Sequence, residues 1–508
     1  MKIAVVQFKA FDCGSFREHF QHLKDLALKA ADTGADLVLF PECSIPGYYI
    51  CPEYDRCVDL VRDGSFLSAF AEIAKERSVY VAMGYVREVG GRLRNSLAVF
   101  DRGGMQVALT DKSNMWHIDK YLFEPGTEYP VFDTEFGRIG LLICADARIP
   151  EIARILRLKG AQLILDSANL VSNAPEVSKL TNQQLQFIIA SRAAENRVPM
   201  VLANKCGCEY GSVQFAGQSF AFDSSGNLIA QASVDREQII VVDVDLSSEP
   251  LVPARRPCLY GNLTRPTSEL PVSAIVESPY RLSDLRVYCS ISKFDRSSSS
   301  DYAKKALEEI RRGRSLKSKL MFMPTICGFE LCDRDLQALE NALDSDELLV
   351  FGSFFGRWKG YLVRKGGAEV LRPSHACDGS GINVIGFGPL RLGMVFAEEL
   401  YNCESTRCMM LEGADIAVWF DVRAKDIQTK ILRTRCAENK MFAVANLSEG
   451  RSFASNPDGA VYCSTFDSGE MLVSFFIDCA LSRNKTVVPG TEIVDGRIPS
   501  AYGCLLEE

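Results

Sequence analysis

Three residues of unlike chemistry each close an apolar run in the first half of the chain. Glu42 ends "ADLVLFPE", Lys112 ends "LAVFDRGGMQVALTDK", and Cys144 ends "GRIGLLIC". A thiol, a carboxylate and an ammonium are the parts needed for covalent acyl transfer. The thiol attacks, the acid carries its proton to a leaving group, and the cation steadies the oxyanion. An acid at the end of an apolar sheet can have its pKa raised toward neutrality, which suits it to proton exchange. Each residue taken singly also has a plainer reading. A buried cysteine packs as a small hydrophobe, and Glu42 or Lys112 alone is a surface charge at a strand end. The usual base for a cysteine is histidine, and there are 4 in the chain. His19 and His22 lie on the polar side of a helix and His375 belongs to the second half, so a Cys–His pair would rest on His117 alone. Cys206 with Cys208 and Cys327 with Cys332 are among the closest cysteine groupings. Neither has a flanking histidine, and zinc needs four converging ligands, so neither a metal nor a cofactor is expected.

The elements that must position these residues repeat. "GRIGLLICADARIPEIARILRLKGAQLIL" is answered by "LRLGMVFAEELYNCESTRCMMLEGADIAVW", and "SRAAENRVPMVLANKCG" by "TRCAENKMFAVANLSEG". "SFAFDSSGNLI" pairs with "SFASNPDGAVY", and "RRPCLYGNL" with "RIPSAYGCL". Four blocks in the same order mark a tandem duplication. Prolines and serines between Arg265 and Asp284 break any period. The expected division is residues 1–265, a linker at 266–284, and a second domain at 285–508. Each half opens with a strand ("KIAVVQF", "LRVYCSI") and then a helix. In the first helix Phe16, Phe20, Leu23, Ala27 and Ala30 form one apolar face. Short apolar strands and a further helix near Pro150 follow. Strands alternating with helices predict a layered α/β fold.

The totals agree with two domains. A chain of 508 residues exceeds one ordinary core, and 47% hydrophobic with 24% charged residues describes a globular protein. A formal net charge of -8 argues against nucleic acid or an anionic membrane as partner. No apolar run reaches bilayer length, and the start "MKIAVVQF" lacks a signal-peptide core. The 18 cysteines are scattered without a repeating spacing and read as free thiols of a cytoplasmic protein.

The ordered set of "LVLFPECSIPGY", Lys112 followed by "YLFEPG", "GLLICADARIPE", "SRAAENRV" and "RRPCLYG" resembles the nitrilase, or carbon–nitrogen hydrolase, superfamily over residues 1–265. The resemblance implies two tandem αββα sandwich domains packed as an intramolecular pseudo-dimer, and a Glu42–Lys112–Cys144 triad. By that reading Cys144 attacks a small-molecule amide to form a thioester, and Glu42 shuttles the proton. Lys112 and the backbone N–H of Ala145 hold the oxyanion. Asp119 stands where many members carry a second glutamate, and a carboxylate one carbon shorter is expected to reach less far. Through the repeat Glu42 falls on Thr325, Lys112 on His375 and Cys144 on Ala397, so the second domain should be silent. The expected partner is a small amide, with neither nucleic acid nor membrane, and pseudo-dimers could assemble further. The alternatives are a glutaminase feeding ammonia to a synthetase, a true nitrilase, or a non-catalytic scaffold.

Overall fold

The computed structural model describes residues 1–174, 176–247, 249–251, 254–276, 285–373 and 382–507. His375 and residues 277–284 of the expected linker lie outside the described residues. The chain forms two compact units. The first comprises Met1–Leu251 with Val488–Thr491 and Gly496–Leu505, and the second the remainder.

In the first unit one sheet contains β1 (Lys2–Gln7), β2 (Leu37–Leu39), β3 (Tyr80–Val89), β4 (Arg92–Phe100), β5 (Gln106–Asp111) and β14 (Gln238–Asp243). Their order is β14-β1-β2-β3-β4-β5. The neighbours β1, β2 and β3 run parallel, so the chain must cross over between them. Helix α1 (Phe16–Ala31) makes the first crossover; α2 (Tyr54–Arg62) and α3 (Ser65–Arg77) make the second. Phe16, Leu23, Ala27 and Ala30 of α1 and Phe66, Phe70 and Ile73 of α3 are buried against Ala4, Val6, Val38, Phe40 and Val81. The alternate residues Ile3, Val5, Leu37 and Leu39 are fully buried on the opposite face. Strands covered on both sides read as unbroken apolar runs.

The second sheet has β6 (Val131–Thr134), β7 (Gly137–Ile143), β8 (Leu163–Ser167), β9 (Met200–Ala203), β12 (Phe220–Phe222) and β13 (Leu228–Gln231). Their order is β13-β12-β9-β8-β7-β6. It is joined to the first sheet through the Ser167 hydroxyl, which donates to the Phe40 carbonyl at 2.9 Å. Its outer face carries α5 (Pro150–Leu158) and α6 (Ile189–Asn196); the one-turn helix α4 (Asp119–Leu122) belongs to the loop after Lys112. Strands β10 (Cys206–Glu209) and β11 (Val213–Ala216) form a separate antiparallel hairpin. The layers are therefore α, β, β, α, as the resemblance implies.

The second unit repeats this architecture. Strands Arg286–Lys293, Leu320–Phe322 and Leu348–Phe355 pair in the same parallel order, with Met471–Asp478 antiparallel at the edge. Val287, Ile291 and Phe322 of that sheet meet Leu392, Met394 and Val418 of the other in one buried core. The second repeat is shorter where the first builds β10 and β11. "LSEGRS" joins Asn446 to Phe453, whereas "KCGCEYGSVQFAGQS" joins Asn204 to Phe220.

The cysteine expectation needs one correction. Cys13 and Cys57 are joined in a disulfide, 44 positions apart. The turn before α1 and the middle of α2 bury both in one apolar cluster with Cys43, Tyr48 and Ile50, a proximity that the spacing does not reveal. The other described cysteines are free. Among the described residues no helix is long and apolar enough to cross a membrane.

One glycine sets how closely the first unit's layers approach. A Cβ on Gly84 of β3 would sit 2.3 Å from the Pro41 carbonyl oxygen, 2.6 Å from Ser167 Oγ and 2.8 Å from Glu42 Cα. Two of those neighbours are backbone and cannot swing aside. Gly84→Ala should therefore destabilise the fold by about 1–3 kcal/mol, the usual range for overpacking. It should also lower turnover about a hundredfold by pushing Glu42 off position. Thermal unfolding and kcat/KM, measured together, check both; a variant with wild-type turnover would show that Glu42 tolerates the shift.

Candidate active site

The three singled-out residues stand at strand ends, two on the first sheet and one on the second. Glu42 lies in the loop leaving β2, Lys112 directly after β5, and Cys144 directly after β7. Cys144 has φ 51°, a left-handed conformation that costs a residue bearing a Cβ roughly 1–2 kcal/mol. The turn Cys144–Arg148 that it opens leads into α5.

Surrounding groups hold the bend. The Cys144 N–H donates to Asp166 Oδ1 at 2.7 Å, and Gln184 Nε2 donates to the Cys144 carbonyl at 2.9 Å. The thiol points to the Asn169 carbonyl oxygen at 3.7 Å. Asn169 also donates from Nδ2 to the Glu42 carbonyl at 2.8 Å. One asparagine thus ties the acid's backbone to the thiol.

Glu42 is fully buried. Its Oε1 accepts from Lys112 Nζ and from Asn95 Nδ2, both at 2.6 Å. Its Oε2 is buried and has no hydrogen-bond partner. Lys112 Nζ also lies 2.7 Å from Asp119 Oδ2 and 5.9 Å from the centre of the Tyr48 ring. The expected shortfall in reach at Asp119 is therefore corrected. Helix α4 starts at this residue and sets it, fully buried, against Lys112, with the Trp116 N–H on the same carboxylate at 3.1 Å.

These contacts determine charge. Burial raises the Glu42 pKa above the ordinary carboxylate value, and the nearby Asp119 adds to this, against the pull of Lys112 and Asn95. Burial works against the Lys112 ammonium, but Asp119 and Glu42 outweigh it and hold the lysine protonated. Burial, and then the Glu42 charge, push the Cys144 thiol well above its usual range despite Lys112. At rest the sulfur carries its proton, so it needs a base during attack.

Ala145 follows Cys144 in the turn, and its carbonyl accepts from Asn114 Nδ2 at 2.8 Å. Its N–H lies at the N-terminal end of the turn, where backbone donors lack partners within the turn. Asp146 accepts three backbone N–H groups, from Ser113 at 3.0 Å, Asn114 at 2.7 Å and Ile143 at 3.1 Å. It thereby clamps the loop after Lys112 to the turn after Cys144. Burial raises its pKa to about 7. A carboxyl whose folded pKa lies above its unfolded value favours the fold at low pH. That contribution is complete below about pH 4 and is lost as pH rises through 7. Asp146→Asn should therefore flatten the fall in unfolding free energy between those values; denaturant titrations at several pH values measure it, and an unchanged slope would exclude Asp146 as its source.

The loop beyond Glu42 is pinned from the hairpin. Glu209 accepts from the Tyr48 N–H at 3.2 Å and the Tyr49 N–H at 2.7 Å, and Lys205 Nζ bonds both Glu209, at 3.0 Å, and the Cys43 carbonyl, at 3.0 Å. Among the described residues no hydrogen bond joins His117 to Cys144. His117 faces a neighbouring cavity instead. Sequence reasoning missed Asn95, Asn169, Asp166 and Glu209, whose isolated polar letters carry no spacing signal. Asp146 had one, as an acid two residues after the cysteine.

The second unit keeps the frame without the groups. Ala397, at φ 45°, opens the turn where Cys144 opens its own. Thr325 is buried and donates to the Asn446 carbonyl at 2.7 Å. Trp419 occupies the strand position of Asp166, and its Nε1 donates to the Ala397 carbonyl at 3.0 Å.

Comparison with known proteins identifies the family. The carbon–nitrogen hydrolase family model matches residues 2–252. A nitrilase of Pyrococcus abyssi is 30% identical over 233 residues, 45% of this chain and 84% of the relative. A citrullinase of Francisella tularensis is 26% identical, over 52% of this chain and 98% of the relative. An N-carbamoylputrescine amidase of Arabidopsis thaliana is 28% identical, over 44% of this chain and 79% of the relative. The chain belongs to the carbon–nitrogen hydrolase family, the nitrilase superfamily. It is an amidase-type enzyme that hydrolyses carbon–nitrogen bonds.

Proposed function

We propose that the first unit hydrolyses the amide or N-carbamoyl group of a small molecule through a Cys144 thioester. The observation that carries this reading is the state of Glu42. One carboxylate oxygen is fixed by Lys112 and Asn95, and the other is buried and unpaired. An unpaired buried oxygen, on a carboxylate whose charge is felt by the protonated thiol, is an available proton acceptor. Glu42 takes the Cys144 proton as sulfur attacks the carbonyl carbon, and Lys112 with the Ala145 N–H steadies the oxyanion. The proton passes from Glu42 to the leaving nitrogen, the C–N bond breaks, and ammonia or an amine departs. Water then gives a proton to Glu42 and adds to the thioester, and the acid leaves as Cys144 recovers its proton.

The second unit has no thiol at Ala397 and no carboxylate at Thr325, so we assign it no turnover. The relatives named for citrulline and N-carbamoylputrescine favour including ureido groups among the substrates. The test is ammonia release from simple amides, N-carbamoyl compounds, glutamine and nitriles, with intact mass recorded during turnover. An adduct of acyl mass on Cys144 is expected with amides. Activity confined to glutamine or to nitriles would select the glutaminase or nitrilase alternative, and no activity at all would favour a scaffold.

A further inference from the structure

A cavity of about 390 Å³ has in its wall residues that contact Lys112 and Asp119. Tyr48, whose ring lies beneath Lys112, forms part of its wall, as does Trp116, whose N–H is held by Asp119. Tyr49 and Val213 extend the wall, from the loop after Glu42 and from the β10–β11 hairpin. The last part of the wall comes from far along the sequence, from Val488 and Pro489.

That distant segment is anchored in the first unit. Thr491 is buried, and its hydroxyl accepts from the His117 N–H at 2.7 Å and donates to the Met115 carbonyl at 3.1 Å. Gly490 has φ 81°, and a Cβ there would come 3.3 Å from the His117 carbonyl oxygen. The turn "VPGT" is thus fastened to the loop that carries Trp116. It lies in a connection, Asp478 to Arg497, longer than its counterpart Asp243 to Arg255 in the first repeat. The silent repeat therefore contributes material to the cavity that the active repeat's own sequence does not contain.

The lining has a chemical bias. It is built from tyrosine, tryptophan, histidine, valine, isoleucine, proline, serine and asparagine. No carboxylate, ammonium or guanidinium of the described residues lines it. A charged substrate group entering it would lose hydration and meet no carboxylate, ammonium or guanidinium in return. An aryl or alkyl group would exchange water for apolar contact.

We propose that Val488 and Pro489 are specificity-determining residues, and that with the aromatic wall they select amides whose acyl part is uncharged and apolar. This rests on the amide-hydrolase reading above and names the substrate class for that site.

The test uses the full chain and four amides. These are acetamide, 3-phenylpropanamide, succinamate with its carboxylate, and 4-aminobutanamide with its ammonium. In the wild type 3-phenylpropanamide should exceed acetamide in kcat/KM, and both charged amides should fall below it by at least tenfold. Val488→Asp should lower the phenylpropanamide-to-acetamide ratio at least tenfold and raise 4-aminobutanamide relative to acetamide. A ratio taken within one variant does not depend on how much of it is folded. Pro489→Ala, which only removes bulk, should shift the ratio in the same sense and less far. Charged amides matching 3-phenylpropanamide, or Val488→Asp changing all four in proportion, would overturn the proposal.

Calorimetry on Cys144→Ala separates this from the hydrolase reading. Suppose that no amide is turned over, yet 3-phenylpropanamide binds Cys144→Ala and Val488→Asp weakens that binding tenfold. The pocket then stands and the hydrolase reading falls. No binding and no turnover overturns both.

Discussion

Cys144→Ala is expected to reduce kcat/KM by about a thousandfold or more, the scale of losing a covalent nucleophile. The fold should survive, and the chain contains its own control. Ala397 occupies the equivalent turn of the second unit at φ 45°, close to the 51° of Cys144. The backbone bend therefore forms around an alanine. Its supports in the first unit, the Asp166 carboxylate on the N–H and the Gln184 amide on the carbonyl, touch main chain and not sulfur. Circular dichroism and the unfolding midpoint should stay near wild type while ammonia release disappears. Turnover within tenfold of wild type would remove the thioester from the mechanism, whatever the geometry around Glu42.

The parts legible in sequence and the parts that were not differ for a physical reason. Strand ends are legible because an apolar run covered on both faces must stop where a charge appears. Glu42 and Lys112 were marked in that way, and Cys144 by the Asp146 and Arg148 that follow its run. The apolar face of α1 was legible by its period, and Phe16, Leu23, Ala27 and Ala30 are indeed buried. The repeat was legible because two copies of one fold keep their core letters. Long-range polar partners were not. Asn95 reaches Glu42 across 53 positions and Asp166 reaches the Cys144 N–H across 22. A single asparagine or aspartate in a strand has no period or spacing by which to stand out. The Cys13–Cys57 pairing was hidden in the same way, since it depends on where α2 comes to lie. Val488 and Pro489 were further still from view. They sit in the repeat without the catalytic groups, and nothing in "VPGT" points to a site that begins at Glu42.

Glu42→Gln should reduce turnover by about a hundredfold to ten-thousandfold, the range for losing a general base. Glutamine can keep an oxygen where Oε1 accepts from Lys112 and Asn95. What it loses is the unpaired oxygen, replaced by an NH₂ group that cannot take a proton from the thiol. The pH profile distinguishes this from simple damage. Glu42 must be ionised to act as a base, so wild-type kcat/KM should fall on acidification as the carboxylate takes up a proton. Burial, reinforced by Asp119, raises that pKa above the ordinary carboxylate value, so the acid limb should be centred above the usual glutamate range. Glu42→Gln should lose the limb altogether and leave a low, flat rate on the acid side. Asp119→Asn should move the limb toward lower pH, because it removes a negative charge that resists ionisation of Glu42. These profiles need only initial rates between about pH 4 and pH 9, a span wide enough to contain a raised carboxyl pKa. An acid limb that persists unchanged in Glu42→Gln would assign the proton transfer to another group. The unpaired oxygen of Glu42 would then be a feature of packing alone.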